Sequence, residues 1–284
     1  MRSVSAPGNI LLLGEYAVTE EGGLGVALGA GPRASATAFP AEELTITARM
    51  GGQQSQWPAD PLPLAEAALA VFSRRGVEPE RGRVEIDTSA FYRDSRKLGF
   101  GSSAAAAVLL TALLLDGRAP SGANAEGETG TETIFPLALE VHRELQEGRG
   151  SGYDVAASLF GGTIRFEGGV TPRAERVKLP WLPRLYVIPG PDAVRSGSAV
   201  GAYNRWKGER PAEAISFLEE SNELVRRFLS SGTWSEAAPI VRAARGLGER
   251  LGRAIGVKST FRPASGVIRE EELGDQMAPR SEEH

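Results

Sequence analysis

KLGFGSSAAAAVLLTALLLDG, residues 97–117, is a glycine-rich turn that runs straight into an alanine- and leucine-rich helix. Gly99 and Gly101 let the backbone approach an anion closely. The first amides of the following helix then point at it, and the helix dipole favours negative charge there. Ser102 and Ser103 add hydroxyls, Ala104 adds an amide, and Lys97 adds a positive charge beside the turn. The Gly-Lys-Ser/Thr ending of a Walker A loop is absent. Two readings stay open at this point: a phosphate cradle, or a serine N-cap on an ordinary core helix.

A second glycine-rich turn, GRGSGYDVAASLFGG at 148–162, also opens a helix, which the Gly161-Gly162 pair stops. It sets Asp154 just inside the helix start, where the dipole and nearby amides hold a carboxylate ionised. Such a carboxylate can take a proton from an attacking oxygen or orient it. The plainer reading is an acid that only stabilises its helix. Arg143, Arg149 and Lys97 are the cations near these turns, and His142 reads as structural.

Outward from the two turns the pattern is mixed. Residues 8–18 read as a buried strand, and strand-like runs continue through 24–50. Helical spacing at 62–75 is followed by alternation at 83–89. Residues 117–133 are small, polar and acidic, which predicts an exposed loop, and helical spacing resumes at 134–147. TIRFEGG (163–169) reads as a strand. Pro172, Pro180 and Pro183 then mark a boundary, LYVIPG (185–190) reads as a strand, and 211–230 and 234–255 as amphipathic helices. The expectation is an α+β protein with domains at 1–175 and 176–284, atypical after about residue 260.

Composition narrows the function. A net charge of −4 gives no basic surface for nucleic acid. The absence of cysteine removes disulfides, thiolate metal sites and a thiol nucleophile, and two histidines cannot build a multi-histidine centre. Gly14 and Glu15 interrupt the apolar run at 10–13, so no signal peptide is expected. The longest apolar stretch, 104–115, is too short to span a bilayer. These features predict a cytoplasmic protein without a membrane or nucleic-acid partner.

Three segments taken together carry a resemblance. SAPGNILLLGEYAV (5–18), LGFGSSAAAAVL (98–109) and HRELQEGRGSGYDVAASLFGG (142–162) resemble, in order and spacing, the motifs of the GHMP kinases. Within that superfamily, His142, Gln146 and the Gly150–Asp154 turn are most similar to phosphomevalonate kinases of the bacterial, spirochaete type. Mevalonate kinases typically carry a metal-binding Glu eleven residues before the Asp; here that position is Arg143.

The resemblance implies the GHMP kinase fold. Its N-terminal domain is like ribosomal protein S5 domain 2, with a left-handed βαβ unit, and its C-terminal domain is ferredoxin-like. It implies ATP and Mg²⁺ as cofactors, with Gly99, Gly101, Ser102, Ser103 and Ala104 at the phosphates and Ser103 as the metal contact. Asp154, Asn9 and Lys97 are the implied catalytic positions. Ser151, Gly152, Arg149 and Ser196 are the implied substrate contacts. The implied reaction converts 5-phosphomevalonate to 5-diphosphomevalonate, in a monomer or homodimer. Another GHMP kinase, of mevalonate or homoserine type, and a nucleotide- or metabolite-binding protein without turnover are the alternatives.

Two departures are visible. Asn9 stands where many members have Lys. The glycine-rich third motif expected near the end is not found, Pro263–Gly266 being a poor substitute, which reads as a divergent, truncated or frame-shifted end.

Overall fold

The computed structural model describes residues 1–94, 96–115, 128–148, 150–185, 187 and 196–257, with the backbone alone at 128–132 and 196–197. Two long antiparallel strands open the chain, β1 (Arg2–Leu13) and β2 (Leu24–Phe39). β3 (Thr45–Met50) and β4 (Gln53–Trp57) form a hairpin. Helix α1 (Pro63–Arg74) then crosses to β5 (Arg83–Asp87), which lies parallel to β3. A short hairpin, β6 (Tyr92–Arg93) and β7 (Arg96–Lys97), leads into α2 (Ser102–Leu114). After α3 (Glu128–Leu145) and α4 (Tyr153–Phe160) come β8 (Gly162–Glu167) and β9 (Arg173–Arg176). The described chain ends in α5 (Ser196–Glu209), α6 (Pro211–Leu229) and α7 (Trp234–Ile255).

The main sheet runs β4-β3-β5-β2-β8-β9, with β1 paired to β2 as well. Strand β2 is long enough to serve two neighbours on one edge. Its first half (24–29) pairs with β8 and its second half (35–39) with β5. β1 and β2 lose register between Pro7 and Asn9. Gly8 and Gly31 sit at this irregularity, and a methyl on either would lie within 2.8 Å of Phe100. The missing side chains therefore make the seat for the aromatic of the 99–101 turn.

Helices α1 to α4 supply the apolar cover of the sheet. Every residue of α2 except Ser103 is buried. That all-round burial is what an uninterrupted Ala/Leu run calls for, since a helix without a polar face must lie inside. Its alanines let β1, α1, α3 and α4 pack close.

The C-terminal helices form a second core. Tyr203, Trp206, Phe217, Leu224, Val225 and Phe228 pack with Leu13, Leu24 and Val26 of β1 and β2. Asn222 of α6 pins the contact: its Oδ1 accepts from Leu24 N at 2.7 Å and its Nδ2 donates to Gly22 O at 3.0 Å.

The helix expected from residue 134 begins earlier, at Glu128, inside the stretch read as a loop. No strand after β9 lies among the described residues. The strand expected at 185–190 falls largely outside them, as do Arg149 and the region of the missing third motif.

Candidate active site

The 99–101 turn is held from below by β1. Asn9 N donates to Phe100 O at 2.9 Å. The buried Asn9 side chain donates from Nδ2 to Ser158 Oγ of α4 at 3.1 Å and to Gly101 O at 3.4 Å. The sequence reading put Asn9 among the catalytic positions. Its amide nitrogen is engaged within the protein, tying strand, turn and α4 together. Gly101 has no room for a side chain, because a methyl there would lie 2.1 Å from Asn9 Nδ2.

The cap of α2 bears on the serine N-cap reading of the turn. The residue capping α2 is Gly101, at φ 70°, not a serine, and no side chain caps the helix. The first intrahelical bond of this end is Ala105 N to Gly101 O. The amides of Ser102, Ser103 and Ala104 therefore have no partner within the helix. Ser102 is buried, so the group it offers is its N–H. Gly99, at φ 86°, has open space around it.

α4 starts in the same manner from Gly152, at φ 92° and without a side-chain cap. Here local groups take up two of the first amides. Tyr153 N donates to Ser151 Oγ at 3.4 Å and Val155 N to Asp154 Oδ1 at 2.9 Å. Asp154 is thereby fixed at the mouth of the turn with part of its carboxylate open to solvent.

One side chain joins the two turns. His142 of α3 is buried; its Nε2 lies 3.3 Å from Ser103 Oγ and 3.2 Å from Gln146 Nε2. Its Nδ1 faces Asp154 Oδ2 at 3.6 Å. Ser103 and Asp154 thus stand on opposite edges of one imidazole. The sequence reading took His142 as structural and gave it no part in the site. The signal that pointed to it was the i, i+4 pair His142 and Gln146, which shares one helix face.

The cations are placed differently from one another. Lys97 is exposed, yet surrounding protein thins the water around its ammonium and draws its pKa down. Among the described residues it has no ion-pair partner. Arg143 donates to Gly150 O, Gly169 O and Val170 O at 3.3–3.4 Å, which straps α3 to the second turn and to the loop after β8. Its burial lowers its pKa, with Glu140 opposing. At Ser196 only the backbone is described, at the first position of α5. The turn after β1 joins from the other side: the Glu15 and Asp154 carboxylates add to the burial that pushes the Tyr153 phenol up.

A cavity of about 180 Å³ lies between Leu12–Glu15 and helices α6 and α7. It contains neither Ser103 nor Asp154. Its lining residues are mainly apolar, and its charged ones are Arg245 with two acids, Glu15 and Glu249. Among the described residues no cluster of three or more His, Asp or Glu side chains forms a metal cage. No described helix is long and apolar enough to cross a membrane.

Residues 64–162 match the family described as the GHMP kinases N terminal domain. A phosphomevalonate kinase of Saccharolobus solfataricus is 31% identical over 170 residues, covering 58% of this chain and 49% of that protein. The chain therefore spans about half the length of that relative. A mevalonate kinase of Archaeoglobus fulgidus is 26% identical over 263 residues, 93% of this chain and 79% of that protein. Among solved structures, the phosphomevalonate kinase of Streptococcus pneumoniae, in complex with phosphomevalonate and AMPPNP, superposes with a TM-score of 0.67. It is 19% identical, over 88% of this chain and 80% of that one. Residues 64–162 are thus similar to the GHMP kinase N-terminal domain, and the chain shares the fold of the kinases on which it superposes.

Proposed function

We propose that this chain transfers the γ-phosphoryl group of ATP to 5-phosphomevalonate. The observation that carries the reading is the convergence of the two turns. The uncapped start of α2 and the Asp154 carboxylate come together one imidazole apart, on either edge of the His142 ring. The amides of Ser102, Ser103 and Ala104, with Gly99 and Gly101, cradle the nucleotide phosphates. Lys97 adds positive charge beside them.

In the transfer, a terminal phosphate oxygen of the substrate forms a bond to the γ-phosphorus while the bond to the β–γ bridging oxygen breaks. ADP leaves and 5-diphosphomevalonate remains. Alignment and charge neutralisation supply most of the catalysis in such reactions. A phosphate nucleophile is already ionised near neutral pH, so Asp154 orients more than it deprotonates. Ser151 and Gly152 stand beside the reacting group at the start of α4, and Arg149, Ser196 and the segment around it are proposed for the substrate's anionic ends. Bound Mg²⁺ would be held by the nucleotide and the Ser103 hydroxyl, and would neutralise charge on the β- and γ-phosphates. Asn9 adds no charge, so this chain's cations must come from elsewhere. We further assign the amides and acid to a domain of residues 1–175 and the remainder to a second domain.

Arg143 favours a phosphomevalonate over a mevalonate substrate. It fills the place of a metal-binding Glu and its guanidinium is committed to three carbonyls. The test is ³¹P NMR of the protein with Mg-ATP and 5-phosphomevalonate. A new diphosphate pair with loss of the monophosphate resonance is expected. ADP release with mevalonate or homoserine instead would move the assignment within the superfamily. Nucleotide binding without transfer to any of the three would replace the kinase with a binding protein.

A further inference from the structure

We infer that His142 is the positioning residue that sets the Ser103 hydroxyl and the Asp154 carboxylate for nucleotide and metal. The inference rests on the kinase reading of the site but has consequences of its own. An amide nitrogen can only donate, so the imidazole nitrogen that Gln146 Nε2 approaches at 3.2 Å is the acceptor, and the ring's proton lies on Nδ1, the nitrogen that faces Asp154 Oδ2 at 3.6 Å. In the neutral ring that makes Nδ1 the donor and Nε2 the acceptor. Nε2 then accepts the Ser103 O–H, 3.3 Å away, in a bond shared with the Gln146 amide, and the serine lone pairs are turned outward. That orientation is the one a hydroxyl needs to ligate a cation, because a ligating oxygen cannot point its own hydrogen at the metal.

Gln146 keeps the ring in place. Its Nε2 approaches the same imidazole nitrogen at 3.2 Å. Its Oε1 lies against Gly150, where an added methyl would meet it at 2.6 Å. The amide is therefore pressed between the second turn and the ring. His142 is almost fully buried while Ser103 and Asp154 are not, so the ring acts from behind the site and does not meet the ligand itself. Groups behind a metal ligand of this kind typically account for 10- to 100-fold in metal affinity or activity.

Only two histidines exist, His142 and His284, so imidazole ¹⁵N spectra of the wild-type protein are readily assigned. The expected signature is the Nδ1-protonated tautomer for His142 before any ligand is added. An Nε2-protonated ring would overturn the inference whatever the protein's activity.

Two variants then separate the arms. Gln at this position places its amide near the Nε2 site, and Asn places it near the Nδ1 site. His142→Asn should weaken Mg-dependent AMPPNP binding, and raise KM for Mg-ATP, by about tenfold while kcat changes less. His142→Gln should lower kcat by about tenfold with nucleotide affinity nearly kept. Equal losses in both variants and both parameters, or no change in either, would reduce His142 to a packing residue. If one variant fails to fold by circular dichroism, the other and the wild-type tautomer still decide. Nucleotide binding needs no turnover, so a protein that binds AMPPNP yet phosphorylates nothing would sink the kinase reading while leaving the Ser103 arm open to measurement.

Discussion

Asp154 and Asn9 illustrate two ways a polar side chain serves a site. Asp154 Oδ1 accepts from Val155 N and Oδ2 faces the His142 ring, with the side chain part-exposed. Asp154→Asn preserves that acceptor and the helix start but removes the charge. The expected outcome is a fall in kcat of about 100-fold, the lower end for a group in general acid–base work, because the phosphate nucleophile needs orienting more than deprotonation. AMPPNP affinity, measured by calorimetry, should stay within about twofold; an equal loss of both would count against the role. Asn9, by contrast, is buried and engaged on both Gly101 O and Ser158 Oγ. Asn9→Ala strips two acceptors of their partner, and stability in urea should drop by about 1–3 kcal/mol. The looser 99–101 turn should also bind nucleotide less tightly.

At the scale of elements, α2 is both the spine of the core and the platform of the anion site. Leu110 on α2 is fully buried among sheet and helix residues. Leu110→Ala should cost about 2–5 kcal/mol in a chemical denaturation series, through lost burial and a residual cavity. Because the residue is two turns from the amides, the folded variant should bind AMPPNP with little change. The starts of the helices differ in a way that fits their roles. Thr233 caps α7 by accepting from Glu236 N, whereas α2 begins at a left-handed glycine with no side chain over its amides. The capped helix needs no ligand to satisfy its first turn; the uncapped one is left with donors to offer.

Across the whole molecule, the turn after β1 is where the C-terminal helices meet the sheet. Asn222 joins α6 to β2, and the Glu15 carboxylate lies against Gly248 of α7, where an added methyl would stand 2.9 Å from Oε2. Surrounding protein raises the Glu15 pKa by desolvation, although the side chain remains exposed at the mouth of the cavity. With the folded pKa above the unfolded one, the fold favours the protonated acid. Stability therefore falls as pH rises from the usual carboxylate range through the folded pKa, and stays lower above it. Glu15→Gln should accordingly melt at a higher temperature than the wild type at pH 7–8. The gap should close as pH falls toward the usual carboxylate range, a trend that thermal melts across pH will check. A gap that widens toward acid would have the wrong sign.

The amino-acid sequence by itself determined the elements whose signals are local. The Ala/Leu run of α2, the glycine stops, the alternation of β5 and the amphipathic spacing of α6 and α7 depend on neighbours within a few residues, and they form as read. The two glycine-rich turns that open helices were legible for the same reason. What only the tertiary structure decided is which side chains meet across elements. Asn9 is engaged with α4 149 positions away, Ser103 meets a histidine 39 positions on, and that ring reaches back to Asp154. The helix start at Glu128 also went unread, because polar composition alone does not separate a loop from a helix end. No local pattern encodes these contacts. They follow from packing α2, α3 and α4 together against β1, and packing is a property of the folded whole.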